Sequence, residues 1–260
     1  MKGVKYKLGV LWSVAFLVSC EIDNYDAPNG GLFGRILDEE TGETVQQAVP
    51  SDLGLRLRFY ETGKENSMEQ HFYVRQDGSF ENSRIFNGPI RIVLEQRNFF
   101  PIDTLDVLIQ GQTRQDIPVI PYTRIHLERL EGEEKIKIHF SISRSERQTY
   151  EKHKITQYRL LWNVSPYLDS QKENYCGRIE YSLTGVSDEQ VLDTHYSVEL
   201  DLSTAANREL LKSRAHLIKG NGHLIYLRLC VSTTSEETDN GNYINYSEVF
   251  PVQISPNLLP

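Results

Sequence analysis

Lys135-Ile136-Lys137-Ile138-His139-Phe140-Ser141-Ile142 alternates polar and apolar residues without a break. A period of two sends Ile136, Ile138, Phe140 and Ile142 to one face and the polar residues to the other, which is the signature of a half-buried strand. Downstream, Tyr158, Leu160, Trp162 and Val164 share a face in the same way, and further strands are predicted near 178–183, 196–202, 224–231 and 244–252. Residues 144–154 are almost wholly polar and read as a loop. A short helix is predicted over 203–213, capped by Ser203, with Leu210 and Leu211 docking inward. Upstream, Leu32, Gly34 and Ile36 begin a strand that turns near Thr41-Gly42, and Leu55, Leu57 and Phe59 oppose Arg56 and Arg58 on a second. Phe72 and Val74 lead to Asp77-Gly78, read as a hairpin turn because both residues tolerate positive φ. Strands at Ile90–Leu94, 105–109 and 117–119 close the set. Short strands separated by turn signals predict an all-β chain of two tandem β-sandwich domains, covering 31–121 and 122–260.

The first 19 residues read as a signal peptide. Lys2, Lys5 and Lys7 precede an apolar run of eleven residues, Leu8 to Val18. A bilayer-crossing helix needs about 20 apolar residues, so this segment is too short to span. Leu17-Val18-Ser19-Cys20 resembles the bacterial lipobox, which implies cleavage before Cys20, acylation of its thiol and anchoring of the body by lipid alone. Residues 20–30 are then an acylated, acidic, turn-rich tether. Glu21, Asp23 and Asp26 are open to several readings. An acidic residue after a lipidated Cys resembles an inner-membrane retention signal in some bacterial lipoproteins, an acidic cluster there resembles a surface-export signal in others, and composition alone fits a solvated linker.

Charge and cysteines narrow the function classes. The formal charge is −8, and loss of Lys2, Lys5 and Lys7 with the leader takes it to −11. Such a body is repelled by phosphate backbones, so no nucleic-acid partner is expected. Beyond Cys20 only Cys176 and Cys230 remain, and spacing leaves both a disulfide and two free thiols open. Seven scattered histidines form no metal-binding or nucleophile motif, so neither a metal nor a cofactor is expected. Asp239-Asn240-Gly241-Asn242 lacks the carboxylate spacing of a calcium loop and reads as a turn.

Gly34-Arg35-Ile36-Leu37-Asp38, Thr41-Gly42-Glu43, Asp77-Gly78-Ser79-Phe80 and Gly88-Pro89-Ile90-Arg91 together resemble the carboxypeptidase-regulatory or transthyretin-like domain. With Ser19-Cys20 and Asn24-Tyr25-Asp26-Ala27-Pro28, the pattern is similar to the DUF3823 lipoproteins of Bacteroidota. The Tyr158-to-Trp162 strand and Asn245-Tyr246-Ser247 resemble the fibronectin-III-like C-terminal domain of that family. The resemblance implies an outer-membrane, surface-exposed lipoprotein of a Sus-like glycan-uptake system. Its implied partners are a polysaccharide or oligosaccharide, a TonB-dependent transporter and a SusD-like lipoprotein.

Sugar rings stack on aromatic side chains while amides and carboxylates bind their hydroxyls. Trp162 is open to two readings, a sugar-stacking platform or a core residue, and its in-phase apolar neighbours favour the core. Loop tyrosines are the glycan-binding candidates: Tyr167, Tyr175 and Tyr243, with Asp169, Asn174 and Asn242 as hydrogen-bonding companions. Each of these tyrosines has a second reading, as a clamp for its own loop. Phe99-Phe100 is an aromatic pair open to a partner-protein contact or to simple partial exposure on a strand edge. Two small sandwiches offer no deep catalytic cleft, so the expected role is non-catalytic glycan binding. The alternative is a structural lipoprotein that docks on a transporter without binding sugar.

Overall fold

The computed structural model describes residues 27–52, 54–63, 68–95, 97–234 and 242–260. The signal-peptide segment, Cys20 and residues 239–241 lie outside them.

Among the described residues the first sandwich contains eight strands: β1 (Gly30–Asp38), β2 (Arg56–Glu61), β3 (Gln70–Tyr73), β4 (Ser79–Ile85), β5 (Gly88–Glu95), β6 (Leu105–Ile109), β7 (Gln112–Arg114) and β8 (Ile117–Val119). One sheet runs β4-β1-β7, with β8 continuing beside β1, and the other runs β3-β2-β5-β6. Alternation decides which residues meet between them. Leu32 and Ile36 from one sheet, Leu57, Phe59, Ile90 and Ile92 from the other, and Leu55 just before β2 are at most 1% exposed. Each such side chain contributes about 1.5–3 kcal/mol by leaving water.

Asp77-Gly78 does not join two paired strands. β3 belongs to the sheet of β2, whereas β4 pairs with β1, so the turn carries the chain from one sheet to the other. Only Gly78 takes a positive φ, at 77°. Asp77 instead uses Oδ1 to accept from the backbone N and the hydroxyl of Ser79.

The second sandwich packs a three-stranded sheet against a five-stranded one. β9 (Arg124–Glu131), β10 (Lys135–Ser143) and β13 (His195–Asp201) form the first, in the order β13-β10-β9. β11 (Ile155–Asn163), β12 (Gly177–Ser182), β14 (Leu224–Thr234), β15 (Asn242–Tyr246) and β16 (Phe250–Gln253) form the second. Ile136, Ile138, Phe140 and Ile142 are at most 1% exposed, and so is Trp162. The predicted final strand is two strands, both antiparallel to the eleven-residue β14. Ser247 sits at the break, where its hydroxyl accepts from Leu229 N at 2.9 Å. β9 lacks an alternating pattern because none of its residues is fully buried and the four central ones are exposed.

Among the described residues three short helices cover this sandwich: α1 (Asp188–Leu192), α2 (Ala205–Ser213) and α3 (Ala215–Gly220). The cap of α2 is Thr204, whose hydroxyl accepts from Asn207 N, and not Ser203, whose hydroxyl is turned to Asp201. Leu211 is buried and Leu210 packs at the edge of the core.

Candidate functional site

The candidate residues gather where the two sandwiches meet, but most of them bind the protein to itself. Asp169 is 0% exposed. Its carboxylate accepts from Val49 N at 2.9 Å, Gln171 N at 2.8 Å, Gln171 Nε2 at 3.0 Å and Asn174 Nδ2 at 3.0 Å. Asn174 also offers its carbonyl to Asn163 Nδ2 at 3.0 Å. Together they pin the loop after β11 onto the first sandwich, so Asp169 presents no carboxylate to solvent.

Beneath that loop lies a small apolar cluster of Leu161, Leu168 and Cys230, with Tyr175 and Tyr246 packed against it. Tyr175 is therefore a half-buried clamp, and the Arg178 guanidinium lies 5.7 Å from its ring centroid. Cys176 and Cys230 are both free thiols. Burial pushes the Cys230 thiol up to about 11, so it stays protonated at neutral pH.

Tyr243 stacks on the buried Tyr122, with centroids 4.4 Å apart and planes 11° from parallel. Tyr122 in turn touches His153 and Phe100, each at 4.7 Å, and Phe100 meets Tyr150 at 5.3 Å. Phe99 is fully buried. The partner surface that Phe100 meets is the second sandwich of its own chain. Asn242 opposes Thr234 in the sheet through its backbone, and its side chain lies outside the described residues.

Tyr167 alone of the three tyrosines stands out in solvent, at 65% exposure. Its backbone is nevertheless held. Gln76 of the first sandwich accepts from Leu168 N at 2.8 Å and donates through Nε2 to Pro166 O at 2.9 Å. The ring is thus exposed on a loop gripped from both sides.

The junction itself is built around Arg228, which is 0% exposed. Its guanidinium donates to Ser247 O at 2.9 Å, Leu168 O at 2.7 Å and Gln47 O at 2.8 Å, with a longer contact to Gln76 O at 3.4 Å. It also lies 4.4 Å from the Tyr246 ring centroid. Burial lowers its pKa to about 10, which leaves it charged at neutral pH. No sequence motif marks it, although an arginine inside Leu227-Arg228-Leu229-Cys230 is a warning that a buried charge needs partners.

A second contact joins Asp38 and Glu40 to the other sandwich. Arg124 Nη2 reaches Asp38 Oδ1 at 2.9 Å and also pairs with Glu40, which accepts from Ser145 Oγ at 2.7 Å. Burial works to raise the Asp38 pKa, but the hydrogen bonds from Arg124 and Glu40 N outweigh it and hold the carboxyl below its usual value.

Beside this pair opens a groove of about 580 Å³ between the sandwiches, lined by Arg35, Glu43, Arg124, His126, Glu248 and Phe250 among others. Such volumes suit small ligands, and domain junctions are common places for them. Among the described residues, no group of three or more His, Cys, Asp or Glu is placed to hold a metal ion. No described helix is long and apolar enough to cross a membrane.

Residues 30–120 match the family model described as "Protein of unknown function (DUF3823) N-terminal domain". The first sandwich belongs to the DUF3823 family. Solved DUF3823 structures extend the likeness across both sandwiches. A DUF3823 family protein from Bacteroides uniformis is 18% identical with a TM-score of 0.69, covering 88% of this chain and all of its own. Another, from Parabacteroides merdae, is 23% identical with a TM-score of 0.66 over 88% of this chain and all of its own. A further Bacteroides uniformis protein, described as a "putative carbohydrate binding protein", is 20% identical with a TM-score of 0.68. It is covered completely by 87% of this chain. At these identities the likeness is one of fold. No curated protein matches the chain.

Proposed function

We propose that this DUF3823 protein is a non-catalytic, lipid-anchored accessory of a Sus-like polysaccharide-uptake system, and that it binds glycan at the junction of its sandwiches. The observation that carries this reading is Tyr167. An aromatic ring 65% exposed, on a loop held by Gln76, is a rigid stacking surface for a sugar ring. Rigidity matters because a loop already ordered loses little entropy when a ligand arrives. The description of one structural relative as carbohydrate-binding points the same way.

In this reading Cys20 carries the acyl chains and the body stands at the outer-membrane surface, beside a TonB-dependent transporter and its SusD-like partner. Replacement Cys20→Ala should move the protein out of the membrane fraction or leave an unprocessed precursor, as fractionation and mass spectrometry would reveal. Retention of an acylated mutant in membranes would refute the anchor.

Affinity electrophoresis of the purified protein against a polysaccharide panel, followed by titration calorimetry, tests binding. Tyr167→Ala should keep the melting temperature and weaken glycan binding about tenfold, equivalent to about 1.4 kcal/mol. Tyr175→Ala and Tyr243→Ala should instead lower the melting temperature, since their rings are packed. A wild type that binds no glycan would favour the scaffold reading, in which the joined sandwiches serve only to dock on the transporter.

A further inference from the structure

The outer face of β1 has chemistry of its own. Alternation along the strand turns Leu32 and Ile36 into the core and Phe33 and Arg35 outward. Phe33 is 37% exposed although it lies on an inner strand, flanked in register by Glu81 of β4 and Arg114 of β7. Arg75 pairs with Glu81 at 3.1 Å, and Arg114 pairs with Asp116 at 2.7 Å. Those four charges cancel. Arg35 is left over: its backbone N donates to Asp116, but its guanidinium has no ion pair or hydrogen bond among the described residues. An uncommitted cation beside an exposed ring is notable on a chain of net charge −8.

These residues line a shallow opening of about 650 Å³, and Arg35 also lines the groove between the sandwiches, so the two surfaces are continuous. The platform is stiff. β1 is paired on both edges, and at Gly34 a Cβ would fall 2.0 Å from Gln115 O, so strand and neighbour are in close contact there.

We infer that the Phe33–Arg35 face is a second binding surface, for an oligosaccharide that carries an acidic group, a uronate carboxylate or a sulfate ester. Phe33 takes the apolar face of a sugar ring. Arg35 supplies a planar fork of donors that matches a carboxylate or sulfate, and among the described residues no acid holds its guanidinium. The inference draws its ligand class from the glycan reading, but it shares no residue with the Tyr167 loop.

The test uses the detergent-solubilised full chain and three probes: oligogalacturonate, a sulfated carrageenan oligosaccharide and a neutral maltooligosaccharide. Calorimetry should show binding of at least one acidic probe, weaker at high salt. Arg35→Gln should weaken it about tenfold, the usual scale of a charge-assisted hydrogen bond, and reduce the salt dependence. Phe33→Ala should weaken it too, whereas Tyr167→Ala should leave it unchanged. Comparing the two acidic probes separates carboxylate from sulfate recognition. Should Phe33→Ala disturb β1, the exposed Arg35→Gln carries the test alone, with circular dichroism as the folding control. Acidic probes bound equally by wild type and Arg35→Gln, or binding of the neutral probe only, would overturn the inference and leave the glycan reading standing. Binding of no glycan would overturn both.

Discussion

Arg228 occupies a position where a strand buried on both faces leaves no route to water. A buried guanidinium survives only when its donors are used, and here they reach carbonyls on three separate segments. Replacement Arg228→Met preserves much of the stem but strands those carbonyls. We expect a loss of at least about 3 kcal/mol, at about 1–3 kcal/mol for each of the three carbonyls left unsatisfied, measured by urea denaturation. A change below about 0.5 kcal/mol, typical of surface sites, would show that Arg228 does not hold the junction. The same residue marks a limit of sequence reading. Trp162 was legible as core because Tyr158 and Leu160 share its phase. The partners of Arg228 lie 19 to 181 residues away, and no local pattern brings them together. Asp169 was visible as a loop carboxylate, but its burial depends on Val49, 120 residues earlier.

At the scale of elements, the turn between β3 and β4 has a demanding geometry. Gly78 combines a φ of 77° with a site where an added Cβ would lie 2.5 Å from Thr44 Cγ2 and 2.6 Å from Val45 O. Both the left-handed backbone and the crowding penalise a side chain. Gly78→Ala should therefore destabilise the protein by more than about 1 kcal/mol, read as a drop in thermal midpoint. Gly63→Ala is a useful control, because its φ of 85° carries strain without any atom within 4 Å. Equal effects at the two positions would argue that crowding is unimportant. The strands themselves were readable from alternation and turn residues, whereas their pairing was not. Asp77-Gly78 announces a tight turn, but only contacts far along the chain decide whether that turn stays within a sheet or crosses between sheets. The α1 cap was present as Ser187 with Gln190 three residues on, a reciprocal pair easily lost in a polar stretch.

For the whole molecule, the ion pairs between the sandwiches predict a pH dependence. Asp38 has a lower pKa folded than unfolded, where an aspartate titrates near about 3.9. The unfolded chain therefore takes up the proton first as pH falls. The stabilisation from Asp38 is complete above the unfolded value and drains away as pH drops through the folded one. Thermal midpoints measured from pH 7 downwards should fall in that acid window, and Asp38→Asn should both lower stability at neutral pH and flatten the acid limb. An unchanged acid limb in the mutant would assign the loss to other carboxylates. The junction has a consequence for how such a gene changes over time. Modules that recombine freely meet their neighbours through indifferent surfaces, since each must accept a stranger. Here Gln47 needs a guanidinium from the other half, and Phe100 needs Tyr150 and His153. A rearrangement that exchanged either sandwich for an unrelated one would strand polar groups and bare rings on the half retained. The two are expected to be inherited as a single cassette.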